Sequence, residues 1–214
     1  NCTAMLTYTP GQDFNGADSF TFRASDGMVD SNAATVSIIV NPVNDPPFAQ
    51  TQSVTTAEDS SVMITLAAND VDSANLGFAI VTAPTQGSLG NISAPSCIAN
   101  GTGGSCTATV TYTPGANLSG PDSFTFKATD GNLDSNLARV SIGVNAVNDA
   151  ALAGNDFYST LNDTPLNVFA PGILGNDNDI DGGQNSLTTV LLRSPTNAGA
   201  FTLNTDGSFS YTPT

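Results

Sequence analysis

Apolar and polar side chains alternate along short runs of this chain: MLTY at 5–8, SFTFRA at 19–24 and ATVSIIV at 34–40. A period of two, filled with Thr, Val, Ile and Phe, predicts strands that bury one face. Apolar residues spaced three and four apart, which would mark a helix, are missing. Between the runs lie TPGQDFNGAD and SDGMVDSN, whose Gly, Asp, Asn and Pro supply the backbone angles and side-chain bonds of turns.

The pattern recurs. Residues 6–49 return at 110–153 without a gap, an offset of 104, and a third copy starts with FSYTPT at 209–214. Short strands and turns in units of about a hundred residues predict an all-β fold of tandem immunoglobulin/cadherin-like β-sandwich modules with no significant helix. Residues 47–149 then form one complete module. Residues 1–46 are the C-terminal half of another, and 150–214 the N-terminal half of a following one. VNPVNDPP at 40–47 and VNAVNDAA at 144–151 stand where one module stops and the next begins.

Composition narrows the chemistry. Four Lys and Arg against 19 Asp and Glu give a net charge of −15, which excludes nucleic acid as a partner because phosphate backbones are bound through cationic side chains. No apolar run approaches the roughly 20 residues of a membrane span, and no leader opens the chain, so the segment is expected to be the interior of something longer. With no His and no phosphate-binding loop, neither a His-based triad nor a nucleotide site can be assembled, and no catalytic residue is assigned. Cys97 and Cys106 flank IANGTGGS, a short Gly-rich loop that either a disulfide closes or two free thiols border. If closed, it implies an oxidising compartment. Cys2 aligns with Cys106, which places its partner before residue 1.

An acidic chain points to cations. Asp70 and Asp72 lie two apart, so in an extended segment both face one side. Asp177, Asp179 and Asp181, followed by Gly182, form D-x-D-x-D-G, a way to gather oxygens for calcium, which takes six to eight of them. Two carboxylates about 4 Å apart repel by roughly 1 kcal/mol in water and more in drier surroundings, a cost that a cation removes; the alternative is that these Asp and Asn only build turns on an acidic surface.

YTPGANLSGPDSFTFKATDG at Tyr112–Gly131, with VND at Val147–Asp149, resembles the hallmark of the bacterial cadherin-like and immunoglobulin-like tandem repeats of large extracellular, adhesin-type proteins. That resemblance covers the whole chain and implies a calcium-supported rod used in surface adhesion or extracellular matrix. Against the linker of true cadherins, Asn44 and Asp45 match the central pair of D-x-N-D-N, but Pro42 and Pro46 occupy the flanking ligand positions. Asn148 and Asp149 match at the second joint, flanked by Ala146 and Ala150. The D-x-D element is matched by Asp70 and Asp72, and by Asp177 and Asp179. Asp130 matches the A-x-D turn, with Asp26 its equivalent in the first copy. Glu58 matches the single acid near a module's start. The missing L-D-R-E element and altered flanks imply one ion per joint, two at most.

The expected function is a non-catalytic structural or adhesive repeat region of a cell-surface or extracellular protein. The alternative is a set of accessory modules in a secreted polysaccharide-degrading enzyme. Expected partners are other copies of the chain, residues 1–46 of one pairing with 150–214 of a neighbour, and surface glycans or proteins.

Overall fold

The structure, a computed structural model, describes residues 3–182 and 187–214, so Cys2 and the pairing expected of it lie outside the described residues. The chain divides into two units, residues 1–144 and 145–214.

In the first unit, β1 (Gly16–Phe22) and β2 (Ala34–Val40) form an antiparallel ribbon in which Phe20 faces Val36. Then follow β3 (Phe48–Ala49), β4 (Gln52–Ala57), β5 (Val62–Asp70), β6 (Gly77–Thr82), β7 (Gly87–Leu89), β8 (Ser96–Asn100), β9 (Gly103–Pro114), β10 (Gly120–Thr129) and β11 (Ala138–Asn145). They build two sheets, one ordered β4-β11-β10-β6 and the other β3-β5-β9-β7 with β8 added beside β9. One hydrophobic core draws on both: Ile64, Leu66, Val110 and Tyr112 from one sheet, Phe124, Phe126, Val140 and Ile142 from the other. Along β9 and β11 buried and outward positions alternate, the period-two pattern of a sandwich strand. Thus the all-β immunoglobulin-like fold expected from the alternation is the fold observed.

The ribbon β10–β11 repeats β1–β2 with the same register, Phe124 facing Val140 where Phe20 faces Val36. Burial differs. Phe126 is fully buried, whereas its counterpart Phe22 is 50% exposed. MLTY at 5–8, expected to be a strand, forms none. Its counterpart in β9, residues 109–112, is held by ladders to β5 and β7, and residues 5–8 have no such neighbours among those described. A strand needs partners more than propensity.

Of the two alternatives for the cysteines, the disulfide is present. Cys97 and Cys106 are bonded and face each other across β8 and β9. The hairpin turns through Gly101 and Thr102, with Gly101 at φ 67°, the left-handed angle that a tight two-residue hairpin asks of glycine.

The second unit holds β12 (Leu166–Val168), a 3-10 turn at Gly172–Leu174, β13 (Ala198–Leu203) and β14 (Phe209–Pro213), paired in the order β12-β14-β13. Leu166 faces Tyr211 as Val62 faces Tyr112, so this sheet repeats β5-β9-β7, with no counterpart of β8 among the described residues.

Candidate metal centre

Asp70 ends β5, and its side chain turns the chain back on itself: Oδ1 accepts the amides of Asp72 at 2.9 Å and Ser73 at 3.0 Å. Short polar side chains favour this bond over a continued ladder, which is why the strand stops there. Asp130, just past β10, makes the same turn by accepting from Asn132 and Leu133, both at 2.7 Å. The two turns bring Asp70, Asp72 and Asp130 together, one oxygen from each lying within 4.8 Å of the others.

The Asn-Asp joint closes over them. Asn44 Nδ2 donates to Asp130 Oδ2 at 2.6 Å, and the amide of Asp45 donates to Asp72 Oδ2 at 2.8 Å. Two oxygens are left over. Asp70 Oδ2 and Asp72 Oδ1 are buried with no hydrogen-bond partner, and Asp70 as a whole is only 6% exposed. Burial pushes the Asp70 carboxyl up from its ordinary range, and the neighbouring Asp72 charge adds to this, against the two amides that pull it down. The Asp130 carboxyl is held down by the amide of Leu133, then by Asn44 and Asn132. Buried carboxylate oxygens without partners are costly.

The donor set fits a hard cation. It offers oxygen only, there is no His, and the described cysteines are consumed by their disulfide. Two oxygens on opposite sides of one ion at about 2.4 Å each would stand about 4.8 Å apart, so a single calcium can reach all three carboxylates, with carbonyls and water completing its shell.

At the second joint the local bonds recur. The amide of Asp149 donates to Asp181 Oδ2, and Asp179 Oδ1 accepts the amides of Asp181 and Gly182 at 2.9 and 3.2 Å. Asn148 Nδ2 reaches the carbonyl of Asp149 as Asn44 reaches that of Asp45. This corrects the match of Asp177 and Asp179 to the D-x-D element: Asp179 and Asp181 take the places of Asp70 and Asp72. Leu152 bridges Asn178 as Phe48 pairs with Asn69, which makes Asp177 the counterpart of Ala68, and there its Oδ1 accepts the amide of Gly154 at 2.8 Å. Three acids in alternation left the register open by one step of two, and the strand pairing decides it.

Two further expected ligands stand apart. Asp26 makes the turn of Asp130, accepting from Met28 and Val29, but is exposed and outside the cluster. Glu58 is buried beyond the start of β5, whereas Asp70 ends that strand. Eight steps of about 3.3 Å put Val62, the first residue of β5, roughly 26 Å from Asp70, and Glu58 is not in the cluster.

Sequence reasoning passed over one polar site: Tyr112 OH donates to Asp122 Oδ2 at 2.9 Å, fully inside the sandwich. Its signal was present, since Tyr8 OH donates to Asp18 Oδ2 at 2.8 Å at the same offset of 104.

A family model described as bacterial Ig domain matches residues 1–39, 44–143 and 148–214. The chain is 34% identical over 70 residues to the integrin beta-like protein B of Dictyostelium discoideum, a match covering 33% of this chain and 4% of that protein. Among solved structures it is similar to the endo-fucoidan hydrolase MfFcnA4 from glycoside hydrolase family 107, with a TM-score of 0.39 and 18% identity over 96% of this chain and 30% of that one. It is also similar to the surface layer protein SbsC, domains 4–9, with a TM-score of 0.30 and 16% identity over 93% of this chain and 31% of that one. The chain therefore spans less than a third of the length of each of these three proteins.

Proposed function

The chain belongs to the bacterial Ig domain family along nearly all of its length, and from that membership we propose that it is a run of non-catalytic spacer repeats in an extracellular protein, stiffened by calcium at its Asn-Asp joints. Surface adhesion or matrix assembly is the use such a rod would serve. The observation that carries the calcium reading is the convergence of Asp70, Asp72 and Asp130 with two buried, unpartnered carboxylate oxygens beneath a joint whose own amide is tied to Asp72. An ion there would hold the joint and the following module's loops as one piece. Asp179 and Asp181 would serve the second joint through the bonds it shares with the first. The disulfide supports an oxidising compartment, and no helix among the described residues is long and apolar enough to cross a membrane.

Melting and small-angle scattering, with calcium and then with chelator, test this. Calcium at about a hundred times its dissociation constant should stabilise the folded chain by about 2.7 kcal/mol per independent site. Replacing Asp70 and Asp72 with Asn should abolish the first joint's share while leaving the chelated protein no less stable, because the change removes two crowded charges and keeps turn-forming residues. Equal melting temperatures and equal maximum dimensions with and without calcium would overturn the proposal and leave the acids as turn formers.

A further inference from the structure

The hairpin β8–β9 does more than extend a sheet edge. Its return strand runs beside the loop that carries the acids: Gly104 is paired with Asp70, Ser105 with Asn69 and Cys106 with Ala68. The fit is close. A Cβ added to Gly103 would run into the Asp70 carbonyl oxygen and the Val71 carbonyl, and one added to Gly104 would lie 3.0 Å from the Ala74 Cα. At the tip, Thr102 Oγ1 donates to the Val71 carbonyl oxygen at 3.1 Å, and Cys106 Sγ lies 3.7 Å from the Ala74 carbonyl oxygen. The loop from Asp70 to Ala74 is thus backed along its length by a hairpin that a covalent bond keeps shut.

The described residues of the second unit show no such backing. No cysteine follows Cys106, and 16 residues separate Pro195 from Tyr211 where 28 separate Pro84 from Tyr112. Among its described residues no strand flanks β14 in the place of β8. The two D-x-D loops therefore share local bonds and differ in what holds them.

We infer that the disulfide-closed hairpin β8–β9 is the positioning element of the first joint's cation loop, fixing Asp70–Ala74 so that the free oxygens of Asp70 and Asp72 face one ion, and that it makes the first joint bind calcium more tightly than the second. This rests on the calcium reading proposed above. Holding the two like charges in place before the ion arrives removes ordering that binding would otherwise have to supply, the general gain from preorganisation. Thr102 and the cysteines act through the loop, as outer-shell partners do at other metal sites.

The test is calorimetric titration of the 214-residue chain with calcium chloride. Relative to the natural sequence, C97S/C106S should weaken the first joint about tenfold, the lower range for losing outer-shell support. T102V, which deletes one hydrogen bond and keeps the disulfide, should weaken it about fivefold. T102S retains the hydroxyl and should restore the natural affinity, which a loss of bulk stability would not predict. In a D70N/D72N background, where only the second joint can bind, adding C97S/C106S should change nothing. Should the double cysteine variant fail to fold, the comparison of T102V with T102S decides alone. Unchanged first-joint affinity in T102V, with or without the same in C97S/C106S, overturns the inference while sparing the calcium reading. No calcium uptake by the natural sequence overturns both.

Discussion

Tyr112 and Asp122 tie the two sheets together from inside the core. Asp122 Oδ1 accepts the amides of Thr85 at 2.9 Å and Ser123 at 2.8 Å, while Oδ2 takes the amide of Gln86 at 3.0 Å and the Tyr112 hydroxyl. Burial alone would raise the Asp122 carboxyl, but these donors favour the charged form and leave it below its usual range. Burial and the same carboxylate push the Tyr112 phenol up to about 12. The signs give two pH limbs. A depressed carboxyl contributes stability above its unfolded value, near 3.9, and loses it as pH falls through the lower folded value. A raised phenol contributes stability below about 10 and loses it as pH climbs towards 12. Urea denaturation across the acid range should show a falling stability that flattens in Asp122→Asn, which is expected to cost roughly 2–3 kcal/mol near neutrality through lost charge-assisted bonds. Tyr112→Phe should cost about 1–2 kcal/mol and remove the alkaline limb. The equivalent pair Tyr8 and Asp18 is exposed to solvent, so its replacement should leave stability nearly unmoved.

At the scale of strands, each strand that carries DSFTF begins on a glycine in an unusual conformation: Gly16 at φ 121° and Gly120 at φ 117°. Nothing lies within 4 Å of a Cβ built on either, so the reason for glycine is the backbone angle alone. Gly120→Ala should therefore cost about 1–3 kcal/mol through strain despite the open space, read from the urea midpoint. A midpoint equal to that of the natural sequence would refute this. What the alternation made legible was the set of strands whose partners are present. Phe124, Phe126, Val140 and Ile142 were readable as a buried face because side chains two apart share a side. Three features were not readable, and each depends on what lies across the sheet. MLTY needed neighbours to become a strand, the Asp177–Asp181 run needed the Leu152–Asn178 bridge to fix its register, and Glu58 needed the direction of β5 to be placed far from Asp70. The Asp70, Asp72 and Asn44–Asp45 grouping was legible through a family resemblance. The backing of the Asp70 loop by Gly103 and Thr102 was not, since no local pattern reports which loop a hairpin lies against.

At the scale of the whole chain, two apolar faces stand open whose counterparts are covered in the module matched at residues 44–143. In that module β10–β11 buries Phe126 against the β5–β9 sheet. The equivalent ribbon β1–β2 leaves Phe22 half exposed. In the second unit a groove of about 480 Å³ is lined by Tyr158, Leu166, Phe201, Phe209 and Tyr211, and Tyr211 is only half-buried where its counterpart Tyr112 is fully buried. A ribbon of the β1–β2 type is what covers this face in the module, so the β1–β2 ribbon of a second copy is the fitting occupant. The 214-residue chain is accordingly expected to self-associate through these faces. Its charge of −15 opposes the approach of two copies, so association should strengthen as salt screens the repulsion, the reverse of what a contact built on ion pairs would do. Phe22→Ser should weaken it without unfolding the monomer, since that side chain is already half in water. Light scattering over a range of concentration and ionic strength measures both effects. A chain that stays monomeric at every salt concentration, or that associates equally well with Ser at position 22, would show that these faces do not pair with one another.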